Sequence, residues 1–119
     1  MKNTLVFGAS LKPNRYSNIA IHRLVDKGIT TQAFGLRNGT VNGVQVQTNL
    51  EGFEEIHTIT LYLNPTRQVA YYDEIIALAP VRVLFNPGTE NPEFYGLLEE
   101  NGIEVEVACT LVLLGTGQF

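Results

Sequence analysis

Short apolar, β-prone runs alternate along this chain with segments of helical length, and the first four runs end where the backbone must turn sharply. Residues 4–7 form the first run and Gly8 stops it. Residues 29–34 end at Gly35, residues 57–63 at Asn64-Pro65, and residues 81–85 at Asn86-Pro87-Gly88. Residues 103–108 form the fifth run. The core runs are too apolar for one face to meet water, which suits strands covered on both sides. Between them, residues 18–27 carry a helical stripe of Ile21, Leu24 and Val25 and stop at Gly28, a natural C-terminal cap. Residues 66–78 predict a helix with Val69, Tyr72, Ile75 and Ile76 toward the core. Residues 92–101 predict another, capped by Gly102.

The resulting order is β-α-β-(excursion)-β-α-β-α-β. Strands that alternate with helices imply a parallel sheet with right-handed crossovers. The expected fold class is α/β: a Rossmann-like three-layer fold with a mainly parallel sheet of about five strands. The 119 residues are enough for one domain, 1–119, with a core that needs no staples. The excursion lies between the turn dipeptides Asn38-Gly39 and Asn42-Gly43, with Val44 and Val46 as a short extra strand. Residues 49–55 are expected to hold a short helical turn.

Charge narrows the partners. The net charge is −4, and the eight basic residues form no cluster, which speaks against nucleic acid. Lys12, Arg15 and Arg37 nevertheless fall in a stretch poor in acid, where a small anion would be welcome. One cysteine, Cys109, excludes an internal disulfide and a cysteine-rich zinc site. The sequence offers no secretory signal and no apolar run of about 20 residues, so a cytoplasmic protein without a membrane partner is expected.

In an open parallel sheet, ligands bind at the carboxyl ends of the strands, where strand order reverses. Those ends are Gly8 to Ser10, Gly35 to Arg37, Tyr62 to Pro65, Asn86 to Glu90 and Cys109-Thr110. The first is the most informative. Gly8 lets a ligand approach the backbone, Ser10, Ser17 and Asn18 offer hydrogen bonds, and Lys12 and Arg15 offer charge. The helix that follows points its N-terminus at the same place, an arrangement that favours phosphate. The loop reads Gly-Ala-Ser-Leu-Lys-Pro, not Gly-x-Gly-x-x-Gly, and Arg37 stands where a ribose-binding acid is wanted. Both departures speak against NAD, and the missing Gly-x4-Gly-Lys-Ser/Thr pattern speaks against ATP hydrolysis.

Four blocks then carry a specific resemblance: Val6-Phe7-Gly8-Ala9-Ser10-x-Lys12-Pro13-x-Arg15-x-Ser17-Asn18, Tyr62-Leu63-Asn64-Pro65, Asn86-Pro87-Gly88-Thr89-Glu90-Asn91-Pro92-Glu93, and Glu104-Val105-x-x-Ala108-Cys109-Thr110-Leu111. In this order they resemble the stand-alone CoA-binding-domain proteins, which are similar to the N-terminal CoA-binding domain of the succinyl-CoA synthetase α-subunit. The resemblance covers essentially the whole chain. It implies coenzyme A or an acyl-CoA as the cofactor. Gly8, Ala9 and Ser10, with Arg15, Tyr16, Ser17 and Asn18, would then hold the pyrophosphate, with Lys12 beside them. Gly35 and Arg37 would lie at the adenosine end, where Arg37 could meet the ribose 3′-phosphate. Tyr62, Leu63 and Asn64 would line the adenine or pantetheine path, and Asn86, Pro87 and Gly88 would border the outgoing arm. The ligase activity is not implied, because neither His22 nor His57 lies in a glycine-rich loop at a strand end.

The remaining reactive residues read more plainly. His22 is a helix-surface residue and His57 begins a strand at the end away from the site; together they make no metal-ligand spacing. Cys109 reads as a small residue closing the core, with a thiol function as the alternative. Glu90 reads as a loop carboxylate or cap before Pro92, with a general base as the alternative. Tyr71-Tyr72 reads as helix packing. A CoA-binding protein without catalysis is therefore the leading expectation. A small enzyme acting on a CoA thioester, or using a nicotinamide cofactor, is the alternative. A third reading is an interaction module whose apolar tail, Leu111 to Leu114 with Phe119, forms a dimer surface; a homodimer or protein partner stays open.

Overall fold

The computed structural model describes residues 2–119. The apolar runs form β1 (Thr4–Ala9), β2 (Thr31–Gly35), β5 (Thr58–Leu61), β6 (Arg82–Phe85) and β7 (Glu104–Val107). The excursion supplies β3 (Gly39–Val41) and β4 (Val44–Gln47). The sheet order is β3-β4-β2-β1-β5-β6-β7, parallel throughout except for the β3–β4 pair. The fold is α/β and Rossmann-like, with seven strands rather than about five. The difference lies in the Asn42-Gly43 turn, where both residues have positive φ, at 46° and 81°. That geometry closes a tight hairpin, so residues on both sides of the turn become strands. Val46 then extends the sheet by pairing with Ala33 of β2.

Alternation along β1 builds the two faces. Leu5 and Phe7 join Ile59, Leu61, Val83 and Phe85 on one face, and Val6 joins Ala33 and Val46 on the other. The second face is covered by α1 (Tyr16–Asp26), through Ile21 and Leu24, and by α5 (Thr110–Gly115), through Leu114. Part of the expected apolar tail is thus turned inward.

The first face is covered by α4 (Pro92–Glu100) and by the segment after β5. That segment departs from one continuous helix. It divides into α2 (Pro65–Gln68), a 3-10 turn at Val69–Tyr71 and α3 (Tyr72–Ala77). Val69, expected to point inward, is 57% exposed, and Gln68 is the residue buried at this point. The tighter turn lets Tyr71 set its ring edge against Phe7 and Phe34, with centroids 5.3 and 5.5 Å away. Residues 49–55 form no helix; they make a turn-containing loop that buries Phe53.

At the amino end of the sheet, buried Arg82 donates from Nε to Thr58 Oγ1 at 2.8 Å, from Nη1 to Glu106 at 3.0 Å and from Nη2 to the Phe119 carbonyl at 2.9 Å. Its guanidinium also lies 4.6 Å from the Phe119 ring centre. His57 sits at this end, as expected, with Nδ1 2.8 Å from Thr58 Oγ1. Burial first, then Arg82 and Lys2, push the His57 imidazole below its ordinary pKa. Among the described residues no helix is long and apolar enough to cross a membrane.

Candidate functional site

Strand order reverses beside β1, with β2 on one side and β5 on the other. The two crossovers leave this point on opposite faces, so a crevice opens above the carboxyl ends of the strands. The protein has a cleft of about 830 Å³ there, lined by the first loop, the end of β2 and the turns after β5 and β6. Of the residues expected at the site, Gly8, Ala9, Ser10, Lys12, Arg15, Tyr16, Ser17, Gly35, Arg37, Tyr62, Leu63, Asn64, Pro87 and Gly88 line it.

The first loop is folded by its own polar groups. The Ser10 N–H donates to Ser17 Oγ at 3.0 Å, Asn18 Nδ2 donates to the Ser10 carbonyl at 2.9 Å, and the Lys12 N–H donates to Ser10 Oγ at 3.1 Å. Asn18 is buried and braces the loop from beneath, so its amide is not among the groups facing the cleft. The first N–H groups of a helix have no intrahelical partner. At α1 the N-cap residue, Arg15, supplies no side-chain cap, and Arg15, Tyr16 and Ser17 all line the cleft. The loop also leans on the hairpin, because a Cβ at Gly39 would stand 2.7 Å from the end of Leu11.

Gly8 has φ +98°, and a Cβ there would stand 3.0 Å from Leu63 Cδ2. Its need for glycine thus comes from the backbone and from Leu63, before any ligand is considered.

Asn86 is the second expected residue that the fold turns away from the cleft. It is buried, and Nδ2 donates to Thr60 Oγ1 at 2.8 Å and to the Leu61 carbonyl at 2.9 Å. Its Oδ1 accepts from the Thr110 N–H at 2.9 Å, and the Thr60 and Thr110 hydroxyls lie 2.8 Å apart. This network joins β5, β6 and the start of α5.

Six cleft residues carry no expected role in holding the ligand: Leu36 and Thr89, which lie in the strand ends named above, and Leu11, Phe34, Arg67 and Tyr71. Arg67 lies in α2 and Tyr71 ends the 3-10 turn that follows, and both come to the cleft from the segment after β5. Arg67 joins Lys12, Arg15 and Arg37, so half of the chain's eight basic residues meet at one cleft. None of the four takes part in an ion pair among the described residues, and no carboxylate lines the cleft with them.

Tyr62 is the titratable group most altered here. Burial pushes its hydroxyl up to about 12, and hydrogen bonding with Thr60 and Thr110 offsets part of that rise. Because the folded value exceeds the unfolded one, stability is intact below pH 10 and declines as pH rises from 10 to 12. The decline attributable to Tyr62 is expected to be roughly 2–3 kcal/mol. Urea unfolding across this range should show it, and Tyr62→Phe should flatten the curve; an identical alkaline decline in that variant would remove Tyr62 as the cause.

A family model described as a CoA binding domain matches residues 2–115. The chain belongs to the CoA-binding domain family. It is also similar to a crystal structure described as that of an uncharacterized protein, at 44% identity and a TM-score of 0.96, covering 100% of this chain and 98% of that one. A hypothetical protein from Pyrococcus horikoshii OT3 shares the fold at 24% identity and TM-score 0.83, with 93% and 80% coverage. A protein from Thermus thermophilus does so at 24% identity and TM-score 0.86, with 99% and 91% coverage. No curated protein matches the chain.

Within this CoA-binding family member, Glu90, Cys109 and His22 are not among the residues that line the cleft. Glu90 accepts a 2.7 Å hydrogen bond from the Gly88 N–H and so fastens its own turn. Cys109 is half-buried at the N-cap of α5 and does not line the cleft. His22 is exposed on α1. No group of three His, Cys, Asp or Glu among the described residues could hold a metal ion.

Proposed function

We propose that this protein binds coenzyme A or an acyl-CoA through the loop after β1 and carries out no catalysis of its own. The observation that supports this best is the concentration of Lys12, Arg15, Arg37 and Arg67 around one cleft without a carboxylate, at the switch point of the sheet. In this reading the residue 8–17 loop and the α1 N-terminus take the pyrophosphate, and Arg37 takes the ribose 3′-phosphate. Tyr62, Leu63 and Asn64 line the path of the arm, which leaves past Pro87 and Gly88. Ser17 and Asn18 act from beneath by fixing Ser10. Residues 1–119 work as one nucleotide-binding domain in the cytoplasm, without nucleic acid or membrane as partner. No His, Cys, Asp or Glu lines the cleft among the described residues, so the Ser10 and Ser17 hydroxyls there have no imidazole or carboxylate beside them to activate them for thioester hydrolysis.

The test is ligand choice. CoA is expected to raise the melting temperature more than dephospho-CoA, NAD or ATP at equal concentration. At 100 times its dissociation constant a ligand adds about 2.7 kcal/mol, several degrees for a chain of this size. An equal or larger shift with NAD would overturn the assignment. Native mass spectrometry of freshly purified protein should reveal a co-purified CoA species and its acyl group.

Arg15→Ala should weaken CoA binding by roughly 1.5–3 kcal/mol, the scale of a hydrogen bond to a charged group. Exposed Arg23, outside the cleft, supplies the control. Calorimetric titration in which Arg15→Ala and Arg23→Ala bind CoA equally well would place the phosphates elsewhere.

A further inference from the structure

Among the described residues, Gln68 is the largest polar side chain with no exposure at all. It takes the inward place that the apolar pattern assigns to its neighbour Val69. Nε2 donates one proton to the Leu63 carbonyl and the other to the Thr89 carbonyl, each at 2.8 Å. Oε1 accepts from Asn91 Nδ2 at 2.9 Å. Every polar group of the amide is therefore engaged.

The two carbonyls belong to different loops. Leu63 lies in the turn after β5 and Thr89 in the turn after β6, and both residues line the cleft although Gln68 does not. One side chain thus ties together the two loops that form this wall. Asn91 holds the tie in place: Nδ2 also donates to the Tyr72 hydroxyl at 2.8 Å, and Oδ1 accepts from the Phe94 N–H at the start of α4. Leu63 has a second duty, since its backbone nitrogen lies 3.3 Å from where a Cβ on Gly8 would be. Fixing the Leu63 carbonyl therefore also fixes the floor beneath the first loop.

We propose that Gln68 is a positioning residue for the ligand: it sets the separation of the two loops in the β5–β6 wall of the cleft. The proposal rests on the CoA-binding reading given above. Without the amide, the buried Thr89 carbonyl and the part-buried Leu63 carbonyl both lose their donor, and the loops shift apart to let water reach them. A cleft that has to be reassembled on binding holds its ligand less tightly.

Calorimetric titration with CoA, alongside thermal unfolding without ligand, tests this on the parent, Gln68→Met and Gln68→Glu. Gln68→Met keeps the volume and removes both donors. It is expected to fold and to bind CoA at least tenfold more weakly, about the effect of one lost buried hydrogen bond. In Gln68→Glu the ionised carboxylate cannot donate, but its protonated form returns one O–H donor. Burial raises the pKa of such a carboxyl, by up to about 3–5 units, so this variant should gain CoA affinity, relative to the parent, as the pH is lowered through that value between about 9 and about 5. A merely structural amide would lower the melting temperature and leave CoA affinity, and its pH dependence, at parental values; that result overturns the proposal. Should Gln68→Met fail to fold, the pH profile of Gln68→Glu decides. A parent that does not bind CoA overturns the underlying reading, a result distinct from unchanged binding in the variants.

Discussion

Asn86→Ala is expected to destabilise the protein by about 3–5 kcal/mol, without removing a single atom from the cleft wall. The truncation strands the Leu61 carbonyl and the Thr110 N–H, and it takes a donor from Thr60 Oγ1. Asn86, Thr60 and Thr110 are all buried, so water cannot replace the missing amide without opening the structure. Each unsatisfied buried group costs about 1–3 kcal/mol. For a chain of this length the sum is a drop in melting temperature on the order of 10 °C or more. Thermal unfolding of the ligand-free variant measures it. A melting temperature within a degree or two of the parent's would mean that the network carries no net stability. Asn86→Asp is a useful companion, since it retains the acceptor for the Thr110 N–H while an oxygen replaces the amide donor facing the Leu61 carbonyl.

Gly35→Ala should be about as damaging, for a reason of space. A Cβ on Gly35 would stand 2.2 Å from the Ala9 carbonyl oxygen and 3.1 Å from Val46 Cγ1. The nearest atom is backbone in the central strand, which cannot swing aside as a side-chain end can. The β1–β2 register already shifts between Phe7 and Ala9, where Ala9 pairs with Gly35. Forcing these strands apart is expected to cost about 3 kcal/mol or more, and it would displace Ala9 and Ser10 from the cleft floor. Gly39→Ala supplies the contrast, because its Cβ meets only the flexible end of Leu11. Urea midpoints should fall steeply for Gly35→Ala and slightly for Gly39→Ala. Equal midpoints would show that β1 and β2 can separate freely.

The strands and their carboxyl-end loops were legible because apolar runs and turn residues are local signals. Gly8, Gly35 and Asn64 mark strand ends in the sequence and line the cleft in the structure. What escaped was decided by partners distant in the chain. Asn86 reads locally as a turn residue before proline, yet its amide bonds are made to Thr60, Leu61 and Thr110. Gln68 reads as a polar residue on a helix surface, and its inward orientation depends on the carbonyls of Leu63 and Thr89. Because that amide takes the buried position, the helix tightens after it and Val69 turns outward, against the apolar pattern. Tyr71 ends that tighter turn and lines the cleft, as does Arg67 in the turn of α2 before it. The hairpin was half legible: Asn42-Gly43 announced the turn and Val44 and Val46 announced β4, but the three residues of β3 carry too few apolar positions to announce a strand.

The uneven placement of charge makes anion capture a matter of approach direction. A chain of net charge −4 repels a polyanion from most sides. Only a path that ends at the mouth above β1 and β5 meets Lys12, Arg15, Arg37 and Arg67 together. At physiological ionic strength that attraction is felt within about 8 Å, so it acts on molecules already near the mouth. The acid elsewhere discourages an anion from settling on the wrong surface. The isoelectric point of about 5.0 therefore describes the exterior, while the local field at the cleft has the opposite sign.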